Sequence, residues 1–105
     1  MVEKLVRDKI PDILKEKGLN PEVRTVRSSE LDNFLRAKIV EEAQELLESG
    51  DSEEIVDILE AVDALLELRK ADRAMLDLQR ETKKLYRGGF KQGYVLTQES
   101  DLDTI

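Results

Sequence analysis

Apolar residues recur along most of this chain at the three- and four-residue spacing of helices, and the spacing lapses where glycine, serine or aspartate intervenes. Pro11 followed by Ile13 and Leu14 predicts a short helix that ends at Gly18, with Ile10, Ile13 and Leu14 facing the core. Val23 and Val26 stand among charged residues between Pro21 and Arg27, which predicts an extended stretch. Ser28-Ser29-Glu30 opens a long helix that runs to about Ser49, with Ser29 and Asp32 in a capping arrangement and Gly50 ending it. Asp51 or Ser52 caps the next helix, whose apolar period persists to about Arg69. A single helix from there to Gly88 would be overlong, so a break is expected at Lys70 to Asp72, with Asp72 as the new cap. The final helix carries Met75, Leu76, Leu78 and Leu85 and ends at Arg87-Gly88-Gly89. Phe90 and Tyr94-Val95-Leu96 follow as a second extended piece, able to pair with Val23 to Val26 as a small two-stranded ribbon. The acidic end, Glu99 to Ile105, is expected to be loosely held. The expectation is one all-α domain over residues 1–105, a bundle of about four helices.

Advancing about 100° per residue sorts the acids of the two central helices. On the first, Leu31, Leu35, Ile39, Ala43 and Leu46 make the apolar stripe, and Glu42 falls inside it with Lys38 and Glu45 on one flank. On the second, Ile55, Ile58, Leu59, Val62, Leu65 and Leu66 form the main stripe. Ala61, Ala64 and Leu68 widen that stripe on the flank that also holds Glu54 and Asp57. Glu60, Asp63 and Glu67 point away, toward solvent. Residues three apart share a helix face, so Glu42 with Glu45 and Glu54 with Asp57 form two carboxylate pairs on either side of the Ser49-Gly50 corner. Four carboxylates around one point repel unless cations sit between them, which makes these four the candidate metal ligands. The plainer alternative is a solvated acidic face, with Glu54 completing a capping box begun by Asp51 and Glu45 in a surface ion pair. The apolar arc of the second helix exceeds half its circumference, which implies two burial partners and hence a homodimer built on a four-helix bundle.

Composition narrows the chemistry. The chain has no cysteine and no histidine, so thiolate nucleophiles, zinc–thiolate sites and imidazole bases are excluded. Carboxylates with hard ions, magnesium or manganese, remain. A net charge of −7 argues against a nucleic-acid polymer as partner, although metal ions would let an acidic protein hold phosphates. No apolar run is long enough to span a membrane and no signal-peptide core is present, so a cytoplasmic location is expected. Arg7 and Lys9, just before the first helix, are either surface charges or an anion contact. Phe34, Tyr86, Phe90 and Tyr94, the only aromatics, are expected in the core.

Glu42-Ala-Gln-Glu45 followed by Glu54-Ile-Val-Asp57 resembles the ExxE…ExxD signature of the MazG-like all-α nucleoside triphosphate pyrophosphatases. Leu5-Val6-Arg7-Asp8-Lys9-Ile10-Pro11 and Arg87-Gly88-Gly89-Phe90 are similar to the phosphoribosyl-ATP pyrophosphohydrolase-like branch of that superfamily, so the resemblance covers nearly the whole chain. Asp57 is followed by Ile58-Leu59-Glu60-Ala61 where the histidine-biosynthesis enzymes carry an aromatic–histidine pair. The resemblance therefore implies a general triphosphate pyrophosphohydrolase, with clearance of unwanted nucleotides as its role, ahead of the histidine-pathway enzyme.

Site and resemblance together imply hydrolysis of a nucleoside triphosphate to monophosphate and pyrophosphate. Glu42, Glu45, Glu54 and Asp57 would hold the magnesium, and Glu41 or Glu45 would act as the base toward the attacking water. Lys38, one turn before Glu42, contacts phosphate or balances the acids. The motif positions imply phosphate contacts for Arg7, Lys9 and Arg87, and close backbone approach at Gly88 and Gly89. The rival of another class is a non-catalytic acidic helical module that binds a protein partner.

Overall fold

Gly50 and Asp72 divide the apolar pattern where the helices themselves divide. The computed structural model describes residues 2–97, and its helices are α1 (Ile10–Glu16), α2 (Ser28–Ser49), α3 (Glu53–Leu68) and α4 (Arg73–Arg87). The architecture is all-α. Two compact units meet in sequence at Ala71 and Asp72, the first holding α1 to α3 and the second α4.

In the first unit α2 and α3 pack against each other as an antiparallel hairpin. Gly50 adopts φ 67°, and its N–H donates to the Leu46 carbonyl at 2.8 Å. That left-handed turn ends α2, because only glycine takes such a conformation without steric cost. The Asp51 carboxylate accepts from the Glu53 N–H at 3.1 Å, and α3 starts after a three-residue turn. At the open end of the hairpin, Arg69 grips Asp32 through two hydrogen bonds of 2.7 and 3.0 Å. This pairing overturns the expected cap: α2 starts after Arg27 with no side-chain cap, and Asp32 is engaged by Arg69 and Arg36. A bidentate guanidinium is a stronger partner for a carboxylate than one backbone N–H.

Leu35 and Ala61 are the most buried apolar side chains, with Leu31, Ile39, Leu46, Ile58, Val62, Leu65 and Leu66 half-buried around them. Ala61, Ala64 and Leu68, read from the pattern as a flank, are the line α3 turns to α2 together with Glu54 and Asp57. The main stripe is correspondingly less covered: Ile55 and Leu59 are exposed, as are Ala43, Ile13, Val40, Leu47 and Val56. One partner helix covers only one side of a wide apolar arc.

In the second unit the Asp72 carboxylate accepts from the Met75 N–H at 3.1 Å, the side-chain cap expected at the break. Gly88, at φ 80°, ends α4 with its N–H on the Lys84 carbonyl at 2.7 Å. Met75, Leu76, Leu78 and Leu85 are exposed, and so are Tyr86, Phe90 and Tyr94, against the expectation that these aromatics lie in a core. A unit with a single helix has nothing of its own to bury them against. Phe34 is half-buried, its ring 5.7 Å beneath the Arg24 guanidinium.

The two-stranded ribbon does not form: among the described residues there is no strand, and both Val23–Val26 and Tyr94–Leu96 are irregular. An isolated ribbon is marginal without apolar burial, and Val23, Tyr94 and Val95 are exposed. The expectation for Glu99 to Ile105 lies outside the described residues.

Candidate metal centre

The short Gly50–Ser52 turn folds the last turns of α2 against the first turns of α3, and these are the turns that carry the paired acids. The result is two overlapping carboxylate triads. Glu41, Glu42 and Glu45 form one, Glu42, Glu54 and Asp57 the other, and within each triad one oxygen per residue lies within 4.8 Å of the others. Glu42, shared by both, is 5% exposed. One of its oxygens is 3.4 Å from Lys38 Nζ, while Oε2 is buried without a partner. Leaving such an oxygen unsatisfied costs about 1–3 kcal/mol, so the arrangement is expensive unless a cation completes it. Glu42, Glu45, Glu54 and Asp57, chosen from the helical wheel, are thus brought together, and Glu41 joins them.

The electrostatics follow from this crowding. Burial and the neighbouring carboxylates of Glu42 and Glu45 push Glu54 up to about 7. The capping-box reading of Glu54 fails on geometry: it is the Glu54 backbone N–H that bonds to Asp51, at its carbonyl, while its side chain faces the acids. Nor does Glu45 join an ion pair among the described residues, which removes the other plain reading.

Glu41 is different from its neighbours. Lys4 Nζ is 2.6 Å from its Oε1 and Lys38 Nζ 3.2 Å from its Oε2. The hydrogen bond from Lys4 and the charge of Lys38 outweigh partial burial and hold this carboxyl below the usual range. Of the two readings of Lys38, the observed contacts are those of a residue that balances the acids. Arg7 Nη2 lies 2.8 Å from Asp57 Oδ1. Lys9 is exposed at the N-cap of α1 and takes no part in the ion pairs that reach the cluster. Arg87 and Gly88 form the C-terminal end of α4 in the second unit, with Gly89 next in sequence, and the cap is the role Gly88 fills there.

Sequence reasoning missed Lys4. Its contact with Glu41 spans 37 residues of sequence through a segment without regular structure, so no periodicity could have found it; the only signal was its nearness to Arg7 and Lys9.

No protein-family model, curated protein or solved structure matches this chain. Five carboxylates offer hard oxygen ligands with no nitrogen or sulfur among them, which suits magnesium or manganese. Glu42, the residue the two triads share, is also the one that keeps a buried oxygen without a partner.

Proposed function

We propose that this chain is a magnesium-dependent nucleoside triphosphate pyrophosphohydrolase of the MazG-like kind, working in the cytoplasm as a homodimer. The observation that carries the reading is the buried, partnerless oxygen of Glu42, the residue that two carboxylate triads share. A solvated acidic face has no reason to bury a carboxylate in this way, and that favours an ion-binding site over a non-catalytic acidic module.

When bound, magnesium or manganese would supply positive charge against the charge that develops on the phosphates and would ease ionisation of the attacking water. Glu42, Glu45, Glu54 and Asp57 supply the oxygens that hold it. The proton of the attacking water falls to Glu41 or Glu45, which stand beside Glu42 in the first triad. Lys38 keeps the Glu41 and Glu42 carboxylates apart from one another's repulsion, and Arg7 stands at the rim beside Asp57. Phosphate contacts at Lys9, Arg87, Gly88 and Gly89 rest on the motif resemblance.

A panel of nucleoside triphosphates with magnesium should yield monophosphate and pyrophosphate. Diphosphate and orthophosphate would move the cleavage to another bond and end this mechanism; phosphoribosyl-ATP turned over far faster than any triphosphate would return the chain to the histidine-pathway branch.

The homodimer is supported by the apolar side chains the hairpin leaves uncovered, Val40 and Leu47 on α2 with Ile55, Val56 and Leu59 on α3. A second hairpin against this face gives the wide arc of α3 its other burial partner. Light scattering at micromolar concentration should return at least twice the 12.0 kDa chain mass. A particle of one chain mass would rule the dimer out.

A further inference from the structure

Lys4 and Arg7 stand three residues apart on the irregular segment that leads into α1, and they reach different helices. Lys4 meets Glu41 on α2 at 2.6 Å and Arg7 meets Asp57 on α3 at 2.8 Å. Glu41 belongs to one carboxylate triad and Asp57 to the other, so a single short segment delivers one cation to each. Both basic side chains remain more than half exposed, at 56% and 54%. Ion pairs that open to water are weak and exchange readily. The segment itself is anchored next door, where Glu3 receives two hydrogen bonds from Arg24 at 2.7 and 3.1 Å. Lys4 and Arg7 can therefore give up their carboxylates without leaving the rim of the site.

We propose that Lys4 and Arg7 form a tethered counter-ion clasp, which competes with the divalent metal for the two triads and, once displaced, binds the phosphates of the substrate. This rests on the pyrophosphohydrolase reading and adds Lys4 to it. A divalent ion interacts with several carboxylates at once and carries twice the charge of either side chain, so it wins the exchange. The freed guanidinium offers a planar fork that fits two phosphate oxygens, and the freed ammonium a compact point charge. The clasp thus gives removal of either cation opposite effects on the two ligands: metal binds more tightly and triphosphate less tightly.

The test titrates the full chain with Mn2+, following the free-ion magnetic resonance signal, in the parent, Lys4→Ala, Arg7→Ala and, as a charge control, Lys15→Ala on α1. A non-hydrolysable triphosphate analogue is then titrated in saturating Mn2+. The Mn2+ dissociation constant should fall about three- to tenfold in Lys4→Ala and Arg7→Ala and stay at the parent value in Lys15→Ala. The analogue should bind about tenfold more weakly in the first two, with Lys4→Arg restoring its affinity. Parental Mn2+ affinity in both clasp variants, or parental analogue affinity in both, overturns the clasp while leaving the metal site standing. A parent chain that binds no Mn2+ overturns the metal site and the clasp together.

Discussion

Glu42→Gln is expected to lower magnesium-dependent pyrophosphate release by at least about a hundredfold while leaving helix content unchanged. The amide keeps the shape of the side chain but loses the charge and one of the two carboxylate oxygens of the residue that the triads share. Lys38 retains Glu41 at 3.2 Å, and Glu54 loses one of the neighbouring carboxylates that push its titration up. The metal-free variant should melt no lower than the parent, because the parent bears a buried, partnerless carboxylate oxygen and the variant does not. Circular dichroism and a pyrophosphate assay on the same preparation check both halves. Parental turnover in the variant would falsify the site assignment outright; lost turnover with lost helix would show that Glu42 is structural.

The second large effect is a pH dependence that magnesium should erase. Glu54 titrates near 7 in the folded, metal-free chain against 4.5 for an ordinary glutamate. Between those values the folded state holds a proton that the unfolded state has released, so stability falls as pH rises from about 4.5 to about 7. Above that window the contribution is gone, and the crowded carboxylates face one another fully charged. Glu41, held low by Lys4 and Lys38, acts in the opposite sense, with its stabilisation lost as pH drops below the ordinary carboxylate range. The metal-free protein should therefore melt highest in mildly acidic solution. Magnesium at a hundredfold excess over its dissociation constant adds about 2.7 kcal/mol, roughly 10–20 °C in a domain of this size. That increment should be largest at pH 8 and shrink toward pH 5.5, where protons compete for Glu54. Thermal melts across this range with and without magnesium provide the check, and an increment independent of pH would remove Glu54 from the ligand set.

The hairpin and its acidic corner were legible because they depend on local chemistry. Gly50 stops α2, Asp51 helps start α3, and a three-residue turn leaves the flanking helices little choice but to run back along each other. Once that is fixed, the three-residue spacing of Glu42 and Glu45 and of Glu54 and Asp57 aims all four carboxylates inward. The break at Asp72 was readable for the same reason, since a side-chain cap is decided within four residues. Where two extended segments needed a distant partner, as in the expected ribbon, local pattern misled, because a strand exists only through its neighbour.

By itself, then, the sequence determined four helices, their ends, and which acids share a face, all consequences of backbone periodicity and caps acting over a turn or two. Tertiary structure alone decided that Glu42 keeps one oxygen without a partner, that Arg69 claims Asp32 from the start of α2, and that Lys4 and Arg7 come to rest on the acids of two different helices. It also decided which side of α3 faces α2, turning the alanine flank inward and leaving Ile55 and Leu59 in water. These outcomes join residues tens of positions apart, where charge and packing choose among partners that no local spacing can rank.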